Sequence, residues 1–342
     1  MGSRPISRHW MKPYCACRIS PRVQVREVAV TEPAECLPEA LQLPTTIVTR
    51  IAAGMSGAGV YRVDAGNEHF VLKITTPIEP VAAWKRTLHV QLAAAAAGIA
   101  PLIHHVDESR RAVLSALIVD RSFPAQLGSP VTRAAAVAAL GEMLARLHAL
   151  PIPPTAAAAD PRCALGAIWH AFPAAFTVPA FVRTAVAQLL DELPRAGTET
   201  LVLSHNDVNP SNLVFDGERL MLLDWQTAAP NSEYYDLGAI AMFFRFDDDT
   251  SRQLIAAHDN ELIDALPAAF NYSRRAAAVL SGTAALNAAR LRGHVGGEAA
   301  VESTTSLGEL YAQLRNGTLD IATTNGQWSF GLALVKESMT VR

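Results

Sequence analysis

The chain changes texture near Pro130, and that change limits its fold more than any other feature. Before Pro130, short β-branched runs alternate with turn signals; after it, apolar residues recur at helical spacing. Thr45 to Ile51 reads as a strand, Gly54, Gly57 and Gly59 interrupt, and Val60 to Val63 resumes it. Ala65-Gly66-Asn67 is a hairpin signal, and Phe70 to Ile74 is the returning strand. The sum is an antiparallel meander. A looser alternation over Val23–Val30 predicts a further strand. A helix follows from Pro80 to Gly98, with Val81, Trp84, Leu88, Gln91 and Ala95 on one face. Strands are expected at Leu102–Val106 and Ala112–Val119, then a turn-rich connector from Asp120 to Pro130.

Beyond the connector, Thr132 is a candidate N-cap, and Val137, Leu140, Leu144 and Leu147 form an apolar stripe. A Pro/Ala loop spans Pro151–Pro161, and a helical stretch runs to Leu193. Leu201–Ser204 and Leu220–Leu223 read as short strands, and Tyr235 to Arg315 as helices. The segment after Asn316 has no clear period. The expected class is α+β, an antiparallel sheet with one helix followed by a mainly helical lobe, with a ligand site between them. The boundaries drawn are a disordered extension at 1–22, an N-lobe at 23–120, a C-lobe at 121–315 and a tail at 316–342.

A length of 342 residues suits two lobes better than one core. Half of the residues are hydrophobic, so a sizeable core can form, and a net charge of -3 offers no basic face for nucleic acid. The longest apolar runs are too short to span a bilayer, and the basic N-terminus lacks the apolar stretch of a signal peptide. Cys15, Cys17, Cys36 and Cys163 show no metal-ligand spacing and read as free thiols in a reducing compartment. The expectation is a soluble cytoplasmic monomer or homodimer with no nucleic-acid or membrane partner.

Chemistry concentrates in His205-Asn206-Asp207-Val208-Asn209-Pro210-Ser211-Asn212 and in Leu220-Met221-Leu222-Leu223-Asp224-Trp225. Apolar residues precede both polar clusters, and Asp216-Gly217 offers a turn that would fold them together. Two carboxylates and a carboxamide then converge. Phosphoryl transfer asks for those groups: a carboxylate for the hydroxyl proton and oxygen ligands for Mg²⁺. The plain alternative is a loop whose Asp and Asn side chains only make turns.

The order His-x-Asp, Asn five positions after the Asp, and Asp-Trp twelve positions later resembles the aminoglycoside phosphotransferase and choline kinase family over about 45–315. The wording is nearest to choline and ethanolamine kinases and thiamine-kinase-like members; Tyr234-Tyr235-Asp236-Leu237-Gly238 also fits. The resemblance implies a bilobal protein-kinase-like fold that binds ATP and Mg²⁺. It casts Asp207 as catalytic base or hydroxyl-orienting carboxylate, His205 as internal support of the catalytic loop, Asn212 and Asp224 as metal ligands, and Asp236 as a structural partner of that loop. Trp225 is read as packing.

Lys73, one of four lysines, lies in an apolar strand and would meet the α- and β-phosphates; the alternative is an exposed edge lysine. Gly54-Met55-Ser56-Gly57-Ala58-Gly59 would cover the phosphates, with Ser56, Gly57 and Gly59 closest, although glycines mark hairpins everywhere. Adenine would lie against the connector at Ile118, Val119 and Asp120. One departure stands out: the helix from Pro80 to Ala97 has no acid to pair with Lys73. Glu79 sits just before it, and Gln91 is the candidate substitute.

The implied function is transfer of the γ-phosphate to a hydroxyl of a small cationic alcohol such as choline, ethanolamine or thiamine. Trp169, Phe172, Phe176, Tyr234, Phe243, Phe244 and Phe246, with Asp247, Asp248 and Asp249, are candidate acceptor lining. The alternative leaves the phenylalanines in the core and uses Asp249-Thr250 to cap a helix near Ser251. Other readings are an aminoglycoside or other small-molecule kinase, or a catalytically weak nucleotide-binding member. An α/β hydrolase finds no Gly-x-Ser-x-Gly elbow.

Overall fold

A computed structural model of the protein describes residues 32–51, 59–154, 156–192 and 200–341. The extension at 1–22, the strand expected at Val23–Val30 and the turn from Gly54 to Ala58 lie outside the described residues.

Strands β1 (Ile47–Arg50), β2 (Gly59–Ala65), β3 (Glu68–Ile74), β4 (Ile103–Asp107) and β5 (Ala112–Ala116) form one sheet in the order β1-β2-β3-β5-β4. All four pairings are antiparallel, and Lys73 stands opposite Val60 on one side and Val113 on the other. Side chains alternate across a strand. Phe70 and Leu72 therefore join Val63 and Leu114 in a small core on one face. Lys73 and Val113 share the opposite face, where helix α1 (Val81–Ala96) lays Trp84 and Leu88 against Val113. The second side of α1 buries Val90 and Ala94 in the main core, which fixes the sheet to the helical part.

That part comprises α2 (Phe123–Gly128), α3 (Arg133–His148), α4 (Pro161–His170), α5 (Ala180–Asp191), α6 (Glu233–Phe243), α7 (Asp248–Asp259), α8 (Ala268–Leu291), α9 (Leu307–Arg315) and α10 (Thr324–Ser338). Two small antiparallel ribbons lie within it: β6 (Leu201–Ser204) with β9 (Ala229–Ser232), and β7 (Leu213–Phe215) with β8 (Leu220–Leu222). One core gathers α3, α6 and α7 with the ribbons, and another gathers α4, α5, α8 and α10. No helix among the described residues is long and apolar enough to cross a membrane.

Several local expectations change. The connector contains α2, whose Phe123 and Leu127 are buried, because its apolar pair finds the main core. Thr132 precedes α3 but caps nothing, since its hydroxyl donates to the Gln126 carbonyl at 2.7 Å. The long helix ending near Leu193 divides into α4 and α5, as Pro173 and Pro179 interrupt it. Asp247, and not Asp249, caps α7 by accepting from the Thr250 N–H at 2.8 Å. The unassigned tail contains α10, which packs its Ala333–Val335 stretch into the second core.

Helices α3 and α7 approach most closely at Gly141. A Cβ there would lie 2.6 Å from the Leu254 carbonyl oxygen, 2.7 Å from Ala257 Cβ and 2.9 Å from the His258 nitrogen. Backbone cannot yield as a side-chain tip does, so Gly141→Ala should destabilise the protein by about 1–3 kcal/mol. Urea unfolding tests this: the midpoint falls while the slope is unchanged.

Candidate active site

Two left-handed residues build the site. Asn206, just after β6, has φ 64°, and Asp224, just after β8, has φ 61°. Such a backbone is costly for any residue with a Cβ and persists only when its surroundings hold it. Asn206 is held on every side. Its side-chain amide donates to the carbonyls of Ser204, Thr227 and Ala229 at 3.0–3.3 Å. Its carbonyl oxygen accepts from Asn231 Nδ2 at 2.7 Å. Its own N–H donates to Asp236 Oδ1 at 2.9 Å, and the His205 N–H donates to Asp236 Oδ2 at 2.7 Å.

His205 is fully buried; its Nε2 donates to the Leu223 carbonyl at 2.9 Å, and its ring meets Trp225 edge-on. It therefore ties the loop before Asp207 to the strand before Asp224. Its Nδ1 has no hydrogen-bond partner among the described residues. Burial pushes the imidazole below its ordinary value and outweighs the nearby Asp236 and Asp207 charges, so the ring is neutral.

Asp207 Oδ1 accepts from Asn209 Nδ2 at 2.8 Å, and Oδ2 accepts from Asn212 Nδ2 at 2.9 Å. Burial nevertheless raises this carboxyl above the usual range against those bonds. The Asn212 amide also donates to the Asp207 carbonyl at 2.9 Å, which turns its Oδ1 away from both bonds. The β7–β8 hairpin then brings Asp224 up: Asp216 Oδ1 receives the Glu218 and Arg219 N–H groups, and Gly217 takes φ 109°. Across the cleft, Lys73 Nζ donates to Asp224 Oδ1 at 2.8 Å. That contact joins the sheet to the end of the β7–β8 hairpin.

A carboxamide oxygen beside a carboxylate suits a small hard cation that takes its remaining ligands from phosphates and water. No group of three or more His, Cys, Asp or Glu able to hold a metal occurs among the described residues. Lys73, Thr75, Glu79, Gln91, Asp224 and Gln226 line one cleft with Trp84 and Val113. Gln91 makes no hydrogen bond to Lys73; Asp224 takes that place.

Val119 lies in the stretch after β5 and is largely exposed. Among the described residues, the backbone groups of Ile118, Val119 and Asp120 have no backbone partner. Sequence reasoning missed the clasp beside them: Asp120 Oδ1 accepts from Phe215 N at 3.0 Å, and Arg121 N donates to the Phe215 carbonyl at 2.7 Å. Gly59 opens β2 opposite Ile74, one residue from Lys73; Ser56 and Gly57 lie outside the described residues.

The proposed acceptor lining divides. Phe243 and Phe246 are buried core, Phe244 and Tyr234 pack on that core, and Asp247–Asp249 border a different depression with Arg274. Trp169, Phe172 and Phe176 do come together, with ring centroids 5.5 Å apart in each successive pair, and Trp328 of α10 adds a fourth ring 5.9 Å from Phe176. Trp328 lay in the segment whose period was unreadable.

The profile of the phosphotransferase enzyme family matches residues 47–277, more than half of the chain. No curated protein sequence matches. Among solved structures, a choline/ethanolamine kinase family protein from Mesorhizobium loti is similar at TM-score 0.54 and 19% identity, covering 86% of this chain and 93% of that one. Plasmodium vivax ethanolamine kinase gives 0.58 and 11%, covering 87% and 83%. An aminoglycoside-3'-phosphotransferase of type VIII gives 0.52 and 18%, covering 70% and 95%. At such identities the likeness is one of fold.

A raised folded value means that the native state favours the neutral Asp207 acid. The stability it contributes is full below the unfolded carboxylate value, about 3.9, and is lost as pH rises through the folded value. Ionised Asp207 is thus a cost at neutral pH. The wild type should therefore lose stability relative to Asp207→Asn as pH rises through the folded value without metal, as calorimetry can check.

Proposed function

Since the chain belongs to the phosphotransferase enzyme family, we propose that it moves the γ-phosphate of ATP to a hydroxyl of a small alcohol at Asp207. The observation that carries this reading is the Lys73–Asp224 pair across the cleft, beside the Asp207–Asn212 pair that the Leu223 N–H ties to the Asp224 strand through the Asn212 carbonyl at 2.8 Å. Residues 23–120 act as the nucleotide-binding lobe and 121–315 as the catalytic lobe.

In this reading Asn212 and Asp224 hold Mg²⁺, which when bound neutralises charge on the β- and γ-phosphates. Lys73 leaves Asp224 to meet the α- and β-phosphates, and the turn carrying Ser56, Gly57 and Gly59 covers them. The free backbone at Val119 receives the base. Asp207, ionised, orients the acceptor hydroxyl and takes its proton as oxygen attacks the γ-phosphorus and ADP departs. His205 stays neutral and keeps the loop and the Asp224 strand in register. Most of the rate comes from positioning and charge stabilisation.

The Trp169, Phe172, Phe176 and Trp328 rings favour a cationic alcohol of the choline, ethanolamine or thiamine kind, bound through its charge on aromatic faces. One of these faces already holds a cation: the Arg290 guanidinium lies 5.7 Å from the Phe172 centroid. Arg290 beside Phe172 favours a second reading in which the acceptor alcohol bears an acid group, whereas Arg183 on the basin is paired with Glu298 at 2.9 Å.

The test is ADP release with ATP and Mg²⁺ over choline, ethanolamine, thiamine, homoserine and aminoglycosides. Wild-type protein should respond to one class. Asp207→Ala should respond at least about 100-fold less, the lower range for loss of a positioned base. Near-normal turnover in folded Asp207→Ala contradicts the assignment.

A further inference from the structure

Behind the catalytic loop, a file of titratable side chains runs from the surface to Asp236. Asp259, at the end of α7 and about one third exposed, contacts His258 Nδ1. His258 Nε2 lies 2.8 Å from His148 Nδ1 at the end of α3. His148 Nε2 lies 3.3 Å from Asp236 Oδ2 in α6. Both histidine side chains are more than nine-tenths buried. Asp236 in turn receives the N–H groups of His205 and Asn206, directly before Asp207. Phosphoryl transfer as proposed uses neither His148, nor His258, nor Asp259.

Counting protons along this file gives a definite answer. Asp236 accepts two backbone N–H bonds, so it is an ionised acceptor and His148 Nε2 must carry hydrogen. The Asp259 carboxylate likewise requires hydrogen on His258 Nδ1. The contact between the rings requires one hydrogen more. Three hydrogens on four ring nitrogens make the pair a monocation. Burial holds His258 below its ordinary value. Burial opposes ionisation of Asp236, yet the His148 hydrogen bond and charge keep that carboxyl below its usual range. The extra proton is shared across the His148–His258 contact.

We infer that His148 and His258 are positioning residues, and that one proton shared between their rings holds the catalytic loop in its active form. This rests on the proposed role of Asp207. Loss of that proton leaves two hydrogens for three contacts, so one link in the file opens. The link to Asp236 faces the loop, and the strained Asn206 backbone is what it supports. The other ionisable neighbours are His205, which is neutral, and Asp207, which reaches the file only through His205. Activity should then fall at alkaline pH through a step set by residues that touch neither substrate.

The experiment uses the full chain with ¹⁵N-labelled histidine and follows ring and Asn206 amide signals with pH, beside ADP release with the acceptor that works. At pH 6 the His148 and His258 rings should show three hydrogens between them. One alkaline step should move those rings, the Asn206 amide and the basic limb of activity together. Asp259→Asn, on the surface, removes the outer carboxylate and should shift that common step by roughly half to one unit toward acid. His258→Leu should abolish it. Two hydrogens at pH 6, or an Asn206 amide and basic limb unmoved in Asp259→Asn, overturn the inference. A protein that releases no ADP with any acceptor fails the phosphotransfer reading, and the Asn206 amide still decides this one.

Discussion

A carboxylate in a helical core costs several kcal/mol unless donors meet its oxygens. Asp236 meets that condition with the two backbone N–H groups that open the catalytic loop and with His148. The left-handed turn at Asn206 depends on these bonds, and the direction of Asp207 depends on that turn. The loop in turn positions Asn212 through the two bonds of its amide to Asp207. A single buried charge thus organises side chains supplied by α3, α6 and the segment after β6.

The second constraint joins the two parts of the molecule. Lys73 is the inward-facing cation of β3, and α1, which covers it, supplies no acid. The ammonium reaches instead to Asp224, the one carboxylate of the hairpin that turns toward the cleft. In the proposed reading, nucleotide and metal would each take one end of that pair. Trp84 and Leu88 pack beside it, while Val90 and Ala94 anchor the far side of α1. The geometry of the cleft is therefore coupled to the core.

Much of this was legible because local signals agree with tertiary roles. Phe70 to Ile74 read as an apolar strand that carries Lys73, and Asp216-Gly217 marked the turn between the polar clusters. Asp236 was readable as a partner of the loop because its neighbourhood has a recognisable wording. Other features left no local trace. Strands β7 and β9 are three and four residues long and exist only through their partners. The His148–His258 contact joins residues 110 positions apart on two helices, each histidine unremarkable in its own stripe. Phe243 and Phe246 read as candidate lining, yet aromatic type does not tell a core from a pocket, and packing placed them in the core. Gln91 had the right face but not the bond, because Asp224 offers a full charge to the ammonium.

The central claim is that Lys73, Asn212 and Asp224 form one site for a metal-bound nucleotide. Calorimetric titration of ADP, with and without Mg²⁺, tests it most directly in wild type and in Asp224→Asn. The account predicts binding strengthened by Mg²⁺ in the wild type and a loss of that strengthening in the variant. Equal dependence on Mg²⁺ in both proteins would contradict it.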